Sequence, residues 1–142
     1  MKSLYAFVLA SLLPLVALAE GFGPLPGDQV VLADQEYLKR PLVVFADSPD
    51  DPSFIRQMDL LARAYSELEE RDVILVTDTD PAAKSEWRQK LRPRGFSLVI
   101  MDKDLKAVIR KPIPWDVREI THSIDKLPLR LQELLVKNPA GR

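Results

Sequence analysis

The run from Arg40 to Pro52 limits the possible folds more than any other stretch of this chain. Leu42-Val43-Val44-Phe45-Ala46 is unbroken apolar sequence with two adjacent β-branched residues. A strand with one wet face alternates between apolar and polar. An unbroken run belongs to a strand covered on both faces, at the centre of a largely parallel sheet. The acidic turn Asp47-Ser48-Pro49-Asp50-Asp51 follows, and Pro52 suits the first position of a helix. Ser48 with Asp51 three residues on fits a capping box, and a start at Asp51-Pro52 fits equally well. Phe54, Ile55, Met58, Leu61, Ala62, Tyr65 and Leu68 then recur at intervals of three and four, so one amphipathic helix is expected to about Glu70. The unit is a buried strand, an acidic turn and a helix lying on the sheet.

The rest of the chain repeats this theme. Glu20 to Asp28 is rich in Gly and Pro and is expected to be a flexible lead-in, with Val30-Val31-Leu32 as a short edge strand. Asp72 to Thr77 is a second buried strand, and Asp80-Pro81 caps a short helix over about Ala82 to Leu91. Phe96 to Met101 is a third strand, and Asp102-Lys103-Asp104 a hairpin turn. Leu105 to Lys111 alternates, with Lys106, Val108 and Arg110 on one face, as an antiparallel edge strand does. A helix from about Trp115 to Leu127 carries the stripe Val117, Ile120, Ile124 and Leu127, and Leu129 to Val136 is one more short helix. The order β-α-β-α-β-β-α, with right-handed crossovers, gives an α/β thioredoxin-like three-layer sandwich on a mixed sheet of four strands, or five.

The N-terminus reads differently. Lys2 precedes an apolar run from Leu4 to Ala19, and Ala17-Leu18-Ala19 is a small-x-small site before Glu20. This is the pattern of a cleaved secretory signal. Its 16 residues are short for a membrane span, which needs about 20. No Cys follows the site, so a lipid-anchored lipoprotein is excluded. The expected organisation is a signal over 1–19, a lead-in over 20–29, one domain over 30–137 and a tail over 138–142, in a periplasmic or secreted protein with no membrane insertion after cleavage.

The chain of 142 residues has a formal net charge of −1, which argues against nucleic acid as a partner. It contains no cysteine. Thiol catalysis, disulfide exchange, iron–sulfur clusters and cysteine zinc sites are therefore ruled out. With one histidine, a two-histidine metal site within one chain is ruled out too.

Several stretches carry a family resemblance. Arg40 to Ala46, then Ser48 and Asp50-Asp51, then Arg71-Asp72-Val73, and the ending Leu127-Pro128-Leu129-Arg130 resemble the DUDES domain family. This is a thioredoxin-like group of bacterial exported proteins and secreted animal matrix proteins. The resemblance covers about Leu32 to Glu133. It implies a fold and export, and supplies no reaction. Thioredoxins carry Cys-x-x-Cys after the first central strand, where this chain reads Pro49-Asp50-Asp51-Pro52. Where they have a cis-proline before their third strand, this chain has Phe96-Ser97. A disulfide oxidoreductase is therefore not expected.

The sharpest candidate site is acidic. Asp47, Asp50 and Asp51 follow the first central strand, and Asp78 and Asp80 the second. Open α/β sheets bind ligands at the strand C-terminal ends. If the strands are neighbours, five carboxylates share one rim with Ser48, Thr79 and Ser97. They would suit a hard cation such as Ca²⁺ or Mg²⁺. The competing reading makes them helix caps and solvated turns. Asp78-Thr79-Asp80 also resembles the Asp-x-Asp loop of haloacid-dehalogenase-type phosphotransferases, but there is no room for their other motifs. His122 is expected to face solvent. Trp115 beside Pro112 and Pro114 is a packing residue or the lining of a peptide groove. Arg88, Lys90, Arg92 and Arg94 cluster near a helix end, as dipole-compensating charges or as a dock for an acidic partner.

Two functions remain. The first is a non-catalytic exported module without cofactor, binding an unidentified protein or small ligand. The second is a divalent-cation-binding protein or metal-dependent hydrolase, which requires the carboxylates to converge.

Overall fold

A computed structural model describes residues 21–139. The expected signal segment lies outside the described residues. Five strands form one sheet in the order β1-β3-β2-β4-β5: β1 (Leu25–Pro26), β2 (Arg40–Phe45), β3 (Val73–Asp78), β4 (Ser97–Met101) and β5 (Ala107–Lys111). β1, β3 and β2 run parallel, while β4 and β5 form an antiparallel hairpin beside β2. The sheet is thus mixed and five-stranded. β2 lies at its centre, and all six of its residues are buried.

Side chains of β2 alternate between two cores. Leu42 and Val44 join Leu75, Leu98, Ile100, Ile120 and Ile124 on one face. Val43 and Phe45 join Val76, Trp87, Val99 and Met101 on the other. The first face is covered by α1 (Pro52–Ala62), α2 (Tyr65–Glu70) and α4 (Val117–Ile124), and the second by α3 (Glu86–Leu91). This double cover is why the strand needed no polar alternation.

The helices depart from the sequence expectation in three places. The helix expected to run unbroken to Glu70 is interrupted at Arg63-Ala64, where Ala64 takes φ −144°. No Gly or Pro marks the break; Tyr65 there meets Phe22 edge-on at 5.2 Å between ring centroids. The expected apolar stripe was also wrong at two positions, one of which, Ala62, is exposed at the end of α1. Ile55 is 55% exposed, and Gln57 is fully buried instead. The Gln57 amide clamps the backbone of Trp115, donating to its carbonyl at 2.9 Å and accepting from its N–H at 2.7 Å. Finally, the helix expected from Ala82 begins only at Glu86. A 3-10 turn at Pro81–Ala83 and a left-handed Lys84 come first, and the Ser85 hydroxyl then caps α3.

The Gly- and Pro-rich lead-in contributes to the sheet. Leu25 and Pro26 pair with Val76 and Thr77 of β3, whereas Val30 to Leu32 form no strand. Two residues at a sheet edge satisfy the pairing despite Pro26, whose missing N–H is tolerated there.

The last helix, α5 (Pro128–Lys137), is held in an unusual way. Its only buried residue is Arg130, while Leu131, Leu134, Leu135 and Val136 remain exposed. Charge pairs rather than an apolar stripe fasten it to the body.

Candidate functional site

Two rims flank the sheet. One lies at the C-terminal ends of β2 and β3, and the other at their N-terminal ends. The acidic residues sit on the first, and local backbone chemistry accounts for most of them. The Asp51 carboxylate caps α1, accepting from Ser53 N at 2.8 Å and Phe54 N at 3.3 Å. The Ser48 hydroxyl accepts from Asp50 N at 3.1 Å. Asp80 accepts from Ala82 N at 3.2 Å. Asp47 and Asp50 are exposed.

Asp78 is different because it is buried. Its Oδ1 accepts from Arg88 Nε at 2.8 Å and from Asp80 N at 3.1 Å, and its Oδ2 accepts from the Ser85 hydroxyl. Arg88 also donates to the Ala46 carbonyl at 2.6 Å and lies 5.4 Å over the Phe45 ring. One ion pair thereby ties α3 to the ends of both central strands. Ser97 starts β4 opposite Phe45 and is buried, and Thr79 is half-buried.

The five aspartates do not gather. Among the described residues no three His, Asp or Glu side chains group as they would around a metal ion. The convergence that a cation site requires is therefore missing from this geometry. A cleft of about 280 Å³ does open between Gly27, Asp28, Thr77, Asp78, Asp80 and Ser85, but the carboxylate of Asp78 in it is already matched by Arg88.

A second concavity on this side is basic. Arg92, Arg94, Phe96, Ser97, Arg110 and Pro112 line a groove of about 380 Å³. Arg92 follows α3 in a left-handed conformation, with φ 48°. Arg110 in β5 reaches across to the Leu91 carbonyl at 2.6 Å, satisfying the helix end. Arg92 and Arg94 belong to the expected basic cluster, but Arg88, its first member, is spent on Asp78. His122 is exposed on α4, as expected. Trp115 packs against the first core and holds the Lys111 ammonium 4.5 Å from its ring centre.

The opposite rim carries a charge network that the sequence reading did not single out. Arg40 opens the central strand with its side chain fully buried. It donates to Asp102 at 3.0 Å, to the Arg71 carbonyl at 2.9 Å, and through both terminal nitrogens to Glu133 at 3.1 and 2.8 Å. Lys103 bridges Asp72 and Glu133 at 2.8 and 2.7 Å. Arg71 clasps Asp125 with two bonds of 3.0 Å, and Arg130 joins Asp125 to Glu133. Four cations thus face four carboxylates, so the rim is neutral. It fastens α4 and α5 to the turns that flank β3 and β4.

Burial opposes ionisation of Glu133, but hydrogen bonds from Arg40 and Lys103 prevail and hold its carboxyl at about 2. Asp125 is lowered in the same way by Arg71 and Arg130, again against burial. The Arg71 guanidinium is raised by its hydrogen bond to Asp125. Lys103 loses solvent, yet Asp72 and Glu133 raise it above its ordinary value. The pH dependence follows. The stabilisation from Glu133 is complete above its ordinary value of 4.5, and is lost as pH falls towards about 2. Acid unfolding followed by circular dichroism should show a decline across that window, and Glu133→Gln should flatten it while lowering stability at pH 7.

The sheet order, with helices on both faces, defines a thioredoxin-like α/β protein. Solved structures agree. Chloroplastic thioredoxin z superposes with a TM-score of 0.53 at 21% identity, over 73% of this chain and 94% of that one. Plasmodium yoelii Prx1a gives a TM-score of 0.53 at 18% identity, over 82% of this chain and 87% of that one. Both likenesses concern the fold alone. A family model described as "Domain of unknown function (DUF4174)" matches residues 31–133, and the chain belongs to that family. No curated protein matches it.

Three of the motifs that carried the sequence resemblance fall on the charged rim: Arg40, Arg71-Asp72 and Arg130. Their role here is to hold strands and helices together.

Proposed function

We propose that this protein is an exported, redox-inactive thioredoxin-like domain that works by binding a partner and performs no chemistry of its own. One observation carries the reading. The helix N-terminus where a thioredoxin keeps its dithiol is Pro49-Asp50-Asp51-Pro52, and the Asp51 carboxylate there is spent on capping α1. The neighbouring buried carboxylate, Asp78, is neutralised by Arg88. The single histidine, His122, is exposed on α4, away from both carboxylates. Export rests on the signal pattern over 1–19, and the finer placement in the DUDES group rests on the motifs that include Arg40, Arg71-Asp72 and Arg130.

The metal-dependent alternative gives the opposite result in one experiment. A cation bound at about 100 times its dissociation constant adds roughly 2.7 kcal/mol to stability. The Tm of the purified protein is expected to be the same in EDTA, Ca²⁺ and Mg²⁺. A metal-specific rise that Asp50→Asn/Asp78→Asn abolishes would overturn the binding-module reading in favour of a cation site.

A further inference from the structure

The pairing of positive charge is uneven over the molecule. Arg40, Arg63, Arg71, Arg88 and Arg130 each have a carboxylate partner. Arg92, Arg94 and Arg110, which share one groove, have none among the described residues. The chain as a whole has a formal charge of −1, so this concentration is local and not the surplus of a basic protein. Phe96 and Pro112 give the groove an apolar lining, and Ser97 adds a neutral polar group.

A second feature adjoins it. Among the described residues β5 is the last strand of the sheet and is paired on one side only, with β4. Ala107, Val108 and Arg110 are exposed along it. A free strand edge presents backbone N–H and C=O groups that an extended polypeptide can pair with. Arg110 and Pro112 place the arginine groove at the end of that edge. Guanidinium forks match carboxylates in shape as well as charge. A small anion would use the arginines and leave the edge unused. A carboxylate-rich extended segment would use both.

Resting on the binding-module reading, we infer that the groove of Arg92, Arg94 and Arg110, continued by the free edge of β5, docks an acidic extended segment of a partner protein. Lysines and arginines on the edge itself (Lys106, Arg110, Lys111) would favour such a segment over a second copy of β5, which like charge repels.

The test uses the purified protein and fluorescein-labelled decapeptides of alternating Glu and Thr, read by fluorescence anisotropy. The Glu peptide should bind, and its Lys counterpart should not. Arg92→Glu/Arg94→Glu should weaken binding by about tenfold or more with Tm unchanged, because neither side chain holds the fold together. N-methylation of alternate peptide amides should weaken binding severalfold, since it removes edge pairing. Equal binding of the Glu and Lys peptides, or no effect of the double variant, would overturn the assignment. So would equally effective displacement by inorganic pyrophosphate together with indifference to N-methylation, which would mark a simple anion site. Failure of these peptides alongside a metal-independent Tm removes the acidic segment alone. A Ca²⁺- or Mg²⁺-dependent Tm removes the reading beneath it.

Discussion

Arg40→Met should destabilise the protein by about 3–5 kcal/mol, the usual cost of removing one partner from a buried ion pair. Methionine fills much of the same space, so the loss would not be a cavity effect. It would come from the groups left behind. Asp102 is almost fully buried and receives Arg40 Nε, and Glu133 receives both terminal nitrogens. The Arg71 carbonyl would also lose its donor. The variant should lower Tm by on the order of 10–20 °C and shift the urea midpoint with an unchanged slope. Arg40→Met/Asp102→Leu should recover part of the loss, because replacing both partners removes the uncompensated charge. A loss below about 1 kcal/mol, in the range of exposed pairs, would show that water reaches this rim and that the network contributes little.

The second large effect is expected at Trp87. Its side chain is fully buried on the face of the sheet opposite α1, and its indole N–H donates to the Val30 carbonyl at 3.0 Å. A β-carbon added at Gly27 would come within 3.2 Å of its ring, so the N-terminal segment is already tight against it. Trp87→Ala should cost about 3–5 kcal/mol through lost burial and the cavity left behind. It should also loosen the chain between β1 and β2, so limited proteolysis should cut there first. Trp87→Phe separates the two contributions. It keeps most of the volume and orphans the Val30 carbonyl, for about 1–3 kcal/mol. Equal losses in both variants would place the whole effect in the hydrogen bond.

The central strands were legible in the residues because burial on both faces leaves a strong local mark. Leu42 to Ala46 and Val73 to Val76 are unbroken apolar runs. The Asp51-Pro52 cap was legible as well, since it satisfies its own backbone neighbours; Asp80-Pro81 caps only a 3-10 turn, and the cap of α3 is Ser85. Ile55 was misassigned, and Gln57 passed over, for the opposite reason. Helical periodicity favours the isoleucine, and only the distant Trp115 backbone gives a buried amide its two hydrogen bonds. The break at Ala64 leaves no local mark either. Asp47, Asp50, Asp51 and Asp80 lie in turns and caps, while Asp78 is the buried last residue of β3; Arg88 could not be paired with Asp78 from sequence, because a charged residue near a helix end looks solvated.

The amino-acid sequence alone determined the class of fold, the absence of thiol chemistry and the positions of the two acidic turns. Each of these follows from residues close together in the chain or from composition. Tertiary structure alone decided what the charges do. Arg40, Arg71, Asp72, Asp102, Lys103, Asp125, Arg130 and Glu133 are scattered along the chain and become one neutral network only when β2, β4, α4 and α5 meet. Arg92, Arg94 and Arg110 become one groove only when β5 folds back beside the end of α3. Charge interactions act through space, with strength set by distance and burial, and the linear order of residues specifies neither.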